Sequence, residues 1–316
     1  MKTATGSRAR AIALLAYVTL AWGLAWPVTK VAVEQVPIWH LRAGTIAIGG
    51  LLMLAIARAL GHRIAVPRRE LLWLALLGQF NVTAWCLLSA YGVSLMAAGR
   101  ASIIGFTMPL WAAVIAAVTG RERMTGMKLL ALALGLAGLL VLLLPDWPSV
   151  IAAPYGVLAM LGAAVSWAIG TLGVKEFRWS SATSVQTGWQ LVFGALTVSI
   201  GLPIVGEEFD ITSIGPTGWA AVFYLIVLSL LFASWAWFGA VHALSATLAG
   251  IGSLLVPVVG VIGSAIWLHE EIGIAEISAL VLIGISVLLA MRPSEQAVAA
   301  PPPAPAGLRF GARKLR

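Results

Sequence analysis

The sequence predicts an all-α membrane protein with ten transmembrane helices, arranged as two inverted five-helix repeats with both termini in the cytoplasm. Hydrophobic residues make up 60% of the 316 residues and charged residues only 10%. The mean hydropathy is +0.98. This is more apolar surface than one soluble core buries. Apolar runs long enough to cross ~30 Å of hydrocarbon recur along the chain, and basic residues collect on one side of them.

Ten apolar runs stand between charged or Pro/Gly-rich breaks. The first follows a basic start, MKTATGSRAR, as in a signal peptide, but it is long enough to span and no small-residue cleavage site closes it. The fifth is short, and the connection from Ser94 to Ala98 is tight. The predicted spans are 12–33, 38–60, 71–95, 98–119, 129–144, 155–175, 184–204, 218–241, 246–267 and 274–291.

The charge distribution predicts the orientation. Lys30 and Arg100 fall on the far side and Arg42 lies within a span. The other 17 of the 20 basic residues lie on the N-terminal side, which the positive-inside rule assigns to the cytoplasm. These are Lys2, Arg8, Arg10, Arg58, Arg63, Arg68, Arg69, Arg121, Arg123, Lys128, Lys175, Arg178, Arg292, Arg309, Arg313, Lys314 and Arg316. The formal charge of +8 therefore reflects topology, and no nucleic-acid-binding module accompanies it.

The predicted organisation has five parts. Residues 1–11 form a cytoplasmic N-terminus, 12–144 the first five-helix repeat, and 145–154 an outer connecting loop. Residues 155–291 form the second, inverted repeat, and 292–316 a disordered, basic cytoplasmic tail. A single cysteine, Cys86, allows neither an internal disulfide nor a cysteine-based metal site. We expect no metal or other cofactor.

Three spacings repeat between the halves. Pro109 to Glu122 and Pro257 to Glu270 are both 13 residues apart, and Trp22 to Lys30 repeats as Trp167 to Lys175. Arg42 and Gln190 are separated by 148 residues, as the two prolines are. Each half has five spans, an odd number, so the second half enters the membrane from the opposite side. Inverted repeats of this kind predict a binding site near midplane, where the halves meet, and transport by alternating access.

The chain resembles the drug/metabolite transporter superfamily, in its ten-helix EamA-type branch, over residues 12–291. The residues that carry the resemblance are Trp22-Gly23, Leu41-Arg42, Pro109, Gly120 to Arg123, Ser166-Trp167, Pro257 and His269 to Glu271. The segment from Leu248 to Gly252 departs from the family in being richer in glycine. The resemblance implies an exporter of small metabolites in the bacterial inner membrane. Amino acids, including aromatic ones, are among the substrates of similar proteins.

Polar and aromatic residues far from both interfaces define the candidate substrate site, because bilayer spans turn such groups toward the bundle interior. The candidate substrate-binding residues are Trp22, Trp26, Asn81, Trp85, Ser89, Trp167, Thr171, Gln190 and Trp237. For the three tryptophans nearest span centres, packing between helices is an equally good interpretation. Asn81 has an alternative role in an interhelical hydrogen bond.

Four residues are candidates for gating or helix kinking: Pro27, Arg42, Pro109 and Pro257. Arg42 lies about one turn from the outer end of its span. Its alternatives are snorkelling to the interface, recognition of a substrate carboxylate, or a gate pair with an outer acid such as Glu34.

These observations predict a transporter that exports amino acids or similar small metabolites. Efflux of amphiphilic drugs or organic cations is the first alternative, which the lack of an acid at midspan weakens. A membrane-embedded enzyme acting on lipid is the second, but no HExxH, GxSxG or phosphate-binding glycine loop is present. The expected partners are a small-molecule substrate and the bilayer; a monomer is compatible with the sequence, which does not define the oligomeric state or the coupling ion.

Overall fold

The computed structural model describes residues 2–120, 125–148, 154–243 and 246–290. The predicted tail, 292–316, and Glu122 lie outside these residues. Ten long helices run through the described part of the chain, and no strand accompanies them. Eight are long and apolar enough to cross a membrane, and the apolar segments Leu254–Leu268 and Ile274–Leu289 belong to the last two. The prediction of an all-α, ten-helix membrane fold is confirmed.

We number these helices α1 to α10. Helix α1 extends N-terminally beyond its predicted span, since it begins at Lys2. The first five helices are α1 Lys2–Gln35, α2 Ile38–Ala59, α3 Arg68–Leu95, α4 Ala98–Val118 and α5 Gly126–Leu143. The second five are α6 Tyr155–Glu176, α7 Thr183–Val205, α8 216–243, α9 Ala246–Leu268 and α10 Ile274–Ala290.

The short connections depend on proline and glycine. Pro37 and Pro154 stand immediately before α2 and α6, where the fixed φ of proline suits a helix start and no intrahelical N–H is lost. Gly206 ends α7 with a φ of 66°, a left-handed conformation that favours glycine. Between α4 and α5, Thr125 caps the next helix by accepting a hydrogen bond from the Lys128 amide. These signals keep consecutive helices antiparallel.

The helices pack in pairs that join the two halves of the chain. Helix α2 runs along α7, and α5 runs along α10. Helix α1 packs on α8 and α9, and α6 packs on α3 and α4. The interior of the bundle therefore lies between α1, α3, α4, α6, α8 and α9.

Two helices contain π-helical segments, in which the hydrogen-bond step lengthens by one residue. In α3 the segment is Gln79–Ala84, and in α8 it is Tyr224–Phe232. A shift of 148 residues carries the first segment onto 227–232, within the second. The two segments thus occupy corresponding positions in the two halves, on the helices that face the interior.

Candidate functional site: a row of tryptophans

The five predicted site tryptophans lie in a row through the interior, in two groups of contacting rings. The rings of Trp22 and Trp237 lie 5.5 Å apart at 45°, and those of Trp85 and Trp167 lie 5.2 Å apart at 56°. The ring of Trp26 meets the ring of Trp85 edge-on at 6.3 Å and 80°. Trp26 lies one helical turn from Trp22 on α1, so the helix backbone, and not a ring contact, links the two pairs. These are favourable geometries for aromatic contacts. The row connects α8, α1, α3 and α6.

The two flanking pairs of the row come from corresponding helices of the two halves. Trp22 and Trp167 lie on α1 and α6 and have the same spacing to a lysine. Trp85 and Trp237 lie on α3 and α8 but are separated by 152 residues, about one helical turn more than the shift of 148. Trp26 has no such counterpart, since Thr171 stands at its position in α6. Trp26 is 8% exposed, whereas the other four tryptophans are half-buried. The side chains of the four flanking tryptophans are therefore partly exposed, whereas Trp26 is closely packed.

The π-helical segments supply backbone carbonyl groups to side chains beside the row. The Trp22 indole N–H donates to the Ser229 carbonyl at 3.1 Å, and the Tyr17 hydroxyl donates to the Leu228 carbonyl at 3.0 Å. In the other half, the Ser166 hydroxyl donates to the Phe80 carbonyl at 2.8 Å. A π-helical turn frees carbonyl groups from their usual i→i+4 partners, and such turns are frequent at functional sites. In each case a residue of one half donates to the π-helical turn of the other half.

Asn81 and Gln190 meet, but on one side of the row. The Asn81 amide donates to the Gln190 side-chain carbonyl at 2.9 Å and links α3 to α7. The Asn81 Oδ1 atom is buried without a hydrogen-bond partner. A Cβ atom at Gly170 would lie 2.1 Å from it, so α6 approaches closely here. Asn81 and Gln190 thus form an interhelical hydrogen bond, and the Asn81 Oδ1 atom remains an unsatisfied acceptor.

The other predicted polar residues have separate environments. The Ser89 hydroxyl donates to the Cys86 carbonyl of its own helix at 3.3 Å. Arg42 reaches the same carbonyl from α2, with its Nε atom at 2.9 Å. Among the described residues, no carboxylate lies within ion-pair distance of Arg42, and Glu34 is not its partner. Thr171 is half-buried on α6, one turn beyond Trp167.

The three prolines differ in their effect on the helices. Helix α4 is interrupted at Phe106 and Thr107, and its second part begins at Met108 with Pro109 in the first turn. Pro27 and Pro257 lie inside helices that continue without a break. The interruption of α4 thus falls where its proline would otherwise lose a backbone hydrogen bond.

Tyr17, Tyr224 and Ser229 also belong to this site but were not among the predicted residues. The Tyr224 hydroxyl donates to the Ala21 carbonyl at 3.0 Å, which ties α8 to α1 beside Trp22. A tyrosine inside a span was the available signal, because a buried hydroxyl needs a partner. The π-helical carbonyls have no signal in the sequence, since any residue type supplies one. No group of three or more His, Cys, Asp or Glu residues in the described ranges is placed to hold a metal ion.

Comparison with known proteins agrees with this architecture. The profile of the EamA-like transporter family matches residues 9–144 and, a second time, residues 154–292. The chain belongs to the EamA-like transporter family. It is a multi-pass membrane transporter, and the double match indicates that its two halves are related.

Individual relatives cover almost the whole chain. The uncharacterized transporter YvbV of Bacillus subtilis (strain 168) is 30% identical over 287 residues, which are 89% of this chain and 92% of the relative. YoaV, an uncharacterized transporter of the same strain, is 25% identical over 277 residues, 86% and 93% of the two chains. An uncharacterized transporter of Archaeoglobus fulgidus is 25% identical over 288 residues, 88% and 98% of the two chains. These relatives support a transporter and disfavour a lipid-acting enzyme.

A solved crystal structure of a protein has the same fold. It superposes with a TM-score of 0.63 at 21% identity, and the match covers 90% of this chain and 98% of that chain. At this identity the likeness concerns the fold alone.

Proposed function

We propose that this transporter exports amino acids, aromatic ones among them, or similar small metabolites across the bacterial inner membrane. The two halves, 12–144 and 155–291, act as inverted repeats with both termini in the cytoplasm, and the substrate binds between them beside the tryptophan row. Transport is by alternating access, in which the site opens to one side of the membrane at a time.

The tryptophan row is the observation that carries this proposal. Both halves contribute to it, it lies near the middle of the spans, and four of its five rings are half-buried although they are surrounded by other helices. Aromatic faces bind a flat apolar side chain by stacking and edge contacts, each worth about 0.5–1.5 kcal/mol beyond burial. A row built from two halves also couples substrate binding to their relative position.

Arg42 supplies the charge that an amino-acid substrate requires. Its Nε atom binds the carbonyl of Cys86, the residue after Trp85, and no described carboxylate neutralises it. Charged groups inside a span are costly and are kept for a function. A guanidinium group presents several donors in one plane, which matches a substrate carboxylate.

Efflux of flat organic cations is the second candidate function. The same five rings support it, since indole faces attract cations by their quadrupole and aromatic cages recognise quaternary ammonium groups. The positive charge of Arg42 near Trp85 opposes it, because a cationic substrate would bind beside a like charge.

Counterflow into proteoliposomes tests the proposal. Vesicles loaded with unlabelled tryptophan, phenylalanine or leucine are diluted into the labelled amino acid, and ethidium serves as the cationic probe. We expect accumulation of an aromatic amino acid. The variants Trp85→Ala and Trp237→Ala should each lower its initial rate by about tenfold, because each removes an aromatic contact and its buried area.

Trp235→Ala is the matched control, since Trp235 lies two residues from Trp237 on the same helix and is 52% exposed. It should transport at the unaltered rate. Transport of ethidium without any amino acid would establish the second candidate. Equal rates for Trp85→Ala, Trp237→Ala and Trp235→Ala in folded protein would remove the row from the substrate site.

A further inference from the structure

A tight corner between α3 and α4 is held by two charged side chains, one from α1 and one from the connection after α9. The corner consists of Met96 and Ala97, at the end of the bundle that the charge distribution predicts to be outer. Lys30 on α1 donates from Nζ to the carbonyls of Val93, Ser94 and Met96 at 2.9, 3.2 and 3.3 Å. The ammonium group thus caps the end of α3.

Glu270 holds the other side of the corner. Its two carboxylate oxygens accept hydrogen bonds from the Ala98 and Gly99 amides, at 2.7 and 2.9 Å. These amides are in the first turn of α4. Glu270 belongs to the connection after α9, where His269 has a φ of 55°, a left-handed conformation that costs a non-glycine residue energy.

Both contacts use backbone groups that a helix cannot satisfy by itself. The last carbonyls of α3 and the first amides of α4 lack intrahelical partners. A lysine at the negative end of one helix dipole and a glutamate at the positive end of the next are favourable positions for these charges. Together Lys30 and Glu270 therefore fasten α1 and α9 onto the ends of α3 and α4.

The side chains beneath the corner are closely packed. Seven of the eight residues from Ala98 to Gly105 are buried. A Cβ atom at Gly260 would lie 2.9 Å from the Ser102 hydroxyl, and one at Gly105 would lie 2.9 Å from the ring of Trp26. The first part of α4 thus packs closely against α9 and α1.

The opposite, predicted cytoplasmic end of the bundle is less closely packed, and Lys175 there does not make the contacts that Lys30 makes. Only Leu110 and Ala116 are buried in the second part of α4, Met108–Val118. Lys175 corresponds on α6 to Lys30, yet it makes no hydrogen bond or ion pair with any residue of the described ranges. Charged side chains thus bind helix ends at the predicted outer end of the bundle, whereas Lys175 binds no helix end among the described residues.

We propose that Lys30 and Glu270 form the outer gate of this transporter. They hold α1 and α9 against the corner of α3 and α4, and the breaking of these contacts exposes the tryptophan row to the outside. This inference rests on the alternating access of the proposed function. The structure then represents the state that is closed to the outside, in which the site accepts substrate from the cytoplasm.

Side-specific cysteine labelling tests the gate without any knowledge of the substrate. Thr171→Cys, in a Cys86→Ala background, places a thiol beside the row, and Leu95→Cys places one on the exposed end of α3. An impermeant maleimide is added to right-side-out vesicles. Lys30→Met and Glu270→Gln should raise labelling of the row thiol by about tenfold, since each removes charge-assisted hydrogen bonds.

Three controls separate gating from general loosening. Lys30→Arg keeps the charge and should keep labelling low. Glu271→Gln, next to Glu270, and Lys175→Met, on the corresponding lysine, should leave it unchanged. Labelling at Leu95→Cys should be the same in every variant, which also establishes the side on which the corner lies.

The outcomes are decisive in both directions. A rise in labelling for Lys30→Met and Glu270→Gln alone supports the gate. No rise in either variant, in protein that purifies as a single monodisperse peak, overturns it, as does an equal rise in Lys175→Met. If labelling responds but counterflow finds no substrate among those tested, the gate holds and the substrate assignment fails. If amino acids are transported and labelling does not respond, the gate alone is wrong.

Discussion

Helices α1 and α6 have the same sequence spacing but different surroundings. In each helix a lysine lies eight residues after a tryptophan, Lys30 after Trp22 and Lys175 after Trp167. In α1 the lysine caps α3, whereas the lysine of α6 has no partner among the described residues. In the proposed alternating-access cycle, a bundle that is closed at one end places equivalent helices in unequal contacts. The difference between α1 and α6 agrees with that proposal, and Trp26 at the position that corresponds to Thr171 adds to the difference.

The largest effect is expected when Trp26 of α1 is replaced by threonine, the residue that α6 has at the corresponding position 171. Trp26→Thr removes a ring that is 8% exposed and contacts Trp85. We expect a loss of about 3–5 kcal/mol in the free energy of unfolding, as for other truncations of buried tryptophan. Unfolding in detergent with increasing denaturant measures it. Trp235→Thr, on an exposed face of α8, should cost much less, and an equal loss would contradict the packing described for Trp26.

Gly170 of α6 corresponds to Ala25 of α1, and its replacement by alanine is expected to have an intermediate effect. Gly170→Ala would place a Cβ atom 2.1 Å from the Asn81 Oδ1 atom, and α3 and α6 would have to separate. Overpacking of this kind costs about 1–3 kcal/mol. Thermal unfolding should show a lower midpoint than for Gly284→Ala, where no neighbour lies within 4 Å of the added atom. A midpoint equal to that of Gly284→Ala would show that the contact is not close in solution.

The smallest expected effect distinguishes the two equivalent tryptophans. Trp22→Phe keeps an aromatic ring but removes the N–H that donates to the Ser229 carbonyl. We expect it to lower the free energy of unfolding by about 1 kcal/mol, the net value of one such hydrogen bond. Trp167, which donates no hydrogen bond to a described residue, should tolerate the change to phenylalanine without that loss. Equal effects in the two variants would mean that the indole bond to α8 does not contribute.

The spans could be predicted closely, because lipid imposes a simple rule on length and polarity. The third span was expected at 71–95 and occurs as Arg68–Leu95, and the fourth was expected at 98–119 and occurs as Ala98–Val118. The π-helical segments within α3 and α8 were not predicted. Their side chains do not differ from those of an ordinary span, and contacts with α1 and α6 stabilise their carbonyl groups.

The candidate site could be predicted in part. Trp22, Trp85 and Trp167 were predicted from their position near span centres, where an interfacial role is excluded. The structure brings Trp85 and Trp167 into contact together with Trp26, and Trp22 into contact with Trp237. Whether substrate binds there stays a prediction. The role of Lys30 could not be predicted, because capping of α3 depends on how α1 is rotated and how far it is shifted along its neighbour.

Composition and spacing alone determined that this protein is a membrane protein of ten apolar helices and that its halves repeat. They also predict that its basic residues collect on one side of the membrane. These properties follow from the free energy of moving each side chain into lipid, which depends little on its neighbours. Only the tertiary structure decided which tryptophans touch, where the π-helical turns occur, and which backbone groups Lys30 and Glu270 bind. Those contacts depend on the rotation and shift of helices that are all equally apolar, and lipid exerts no preference among such arrangements.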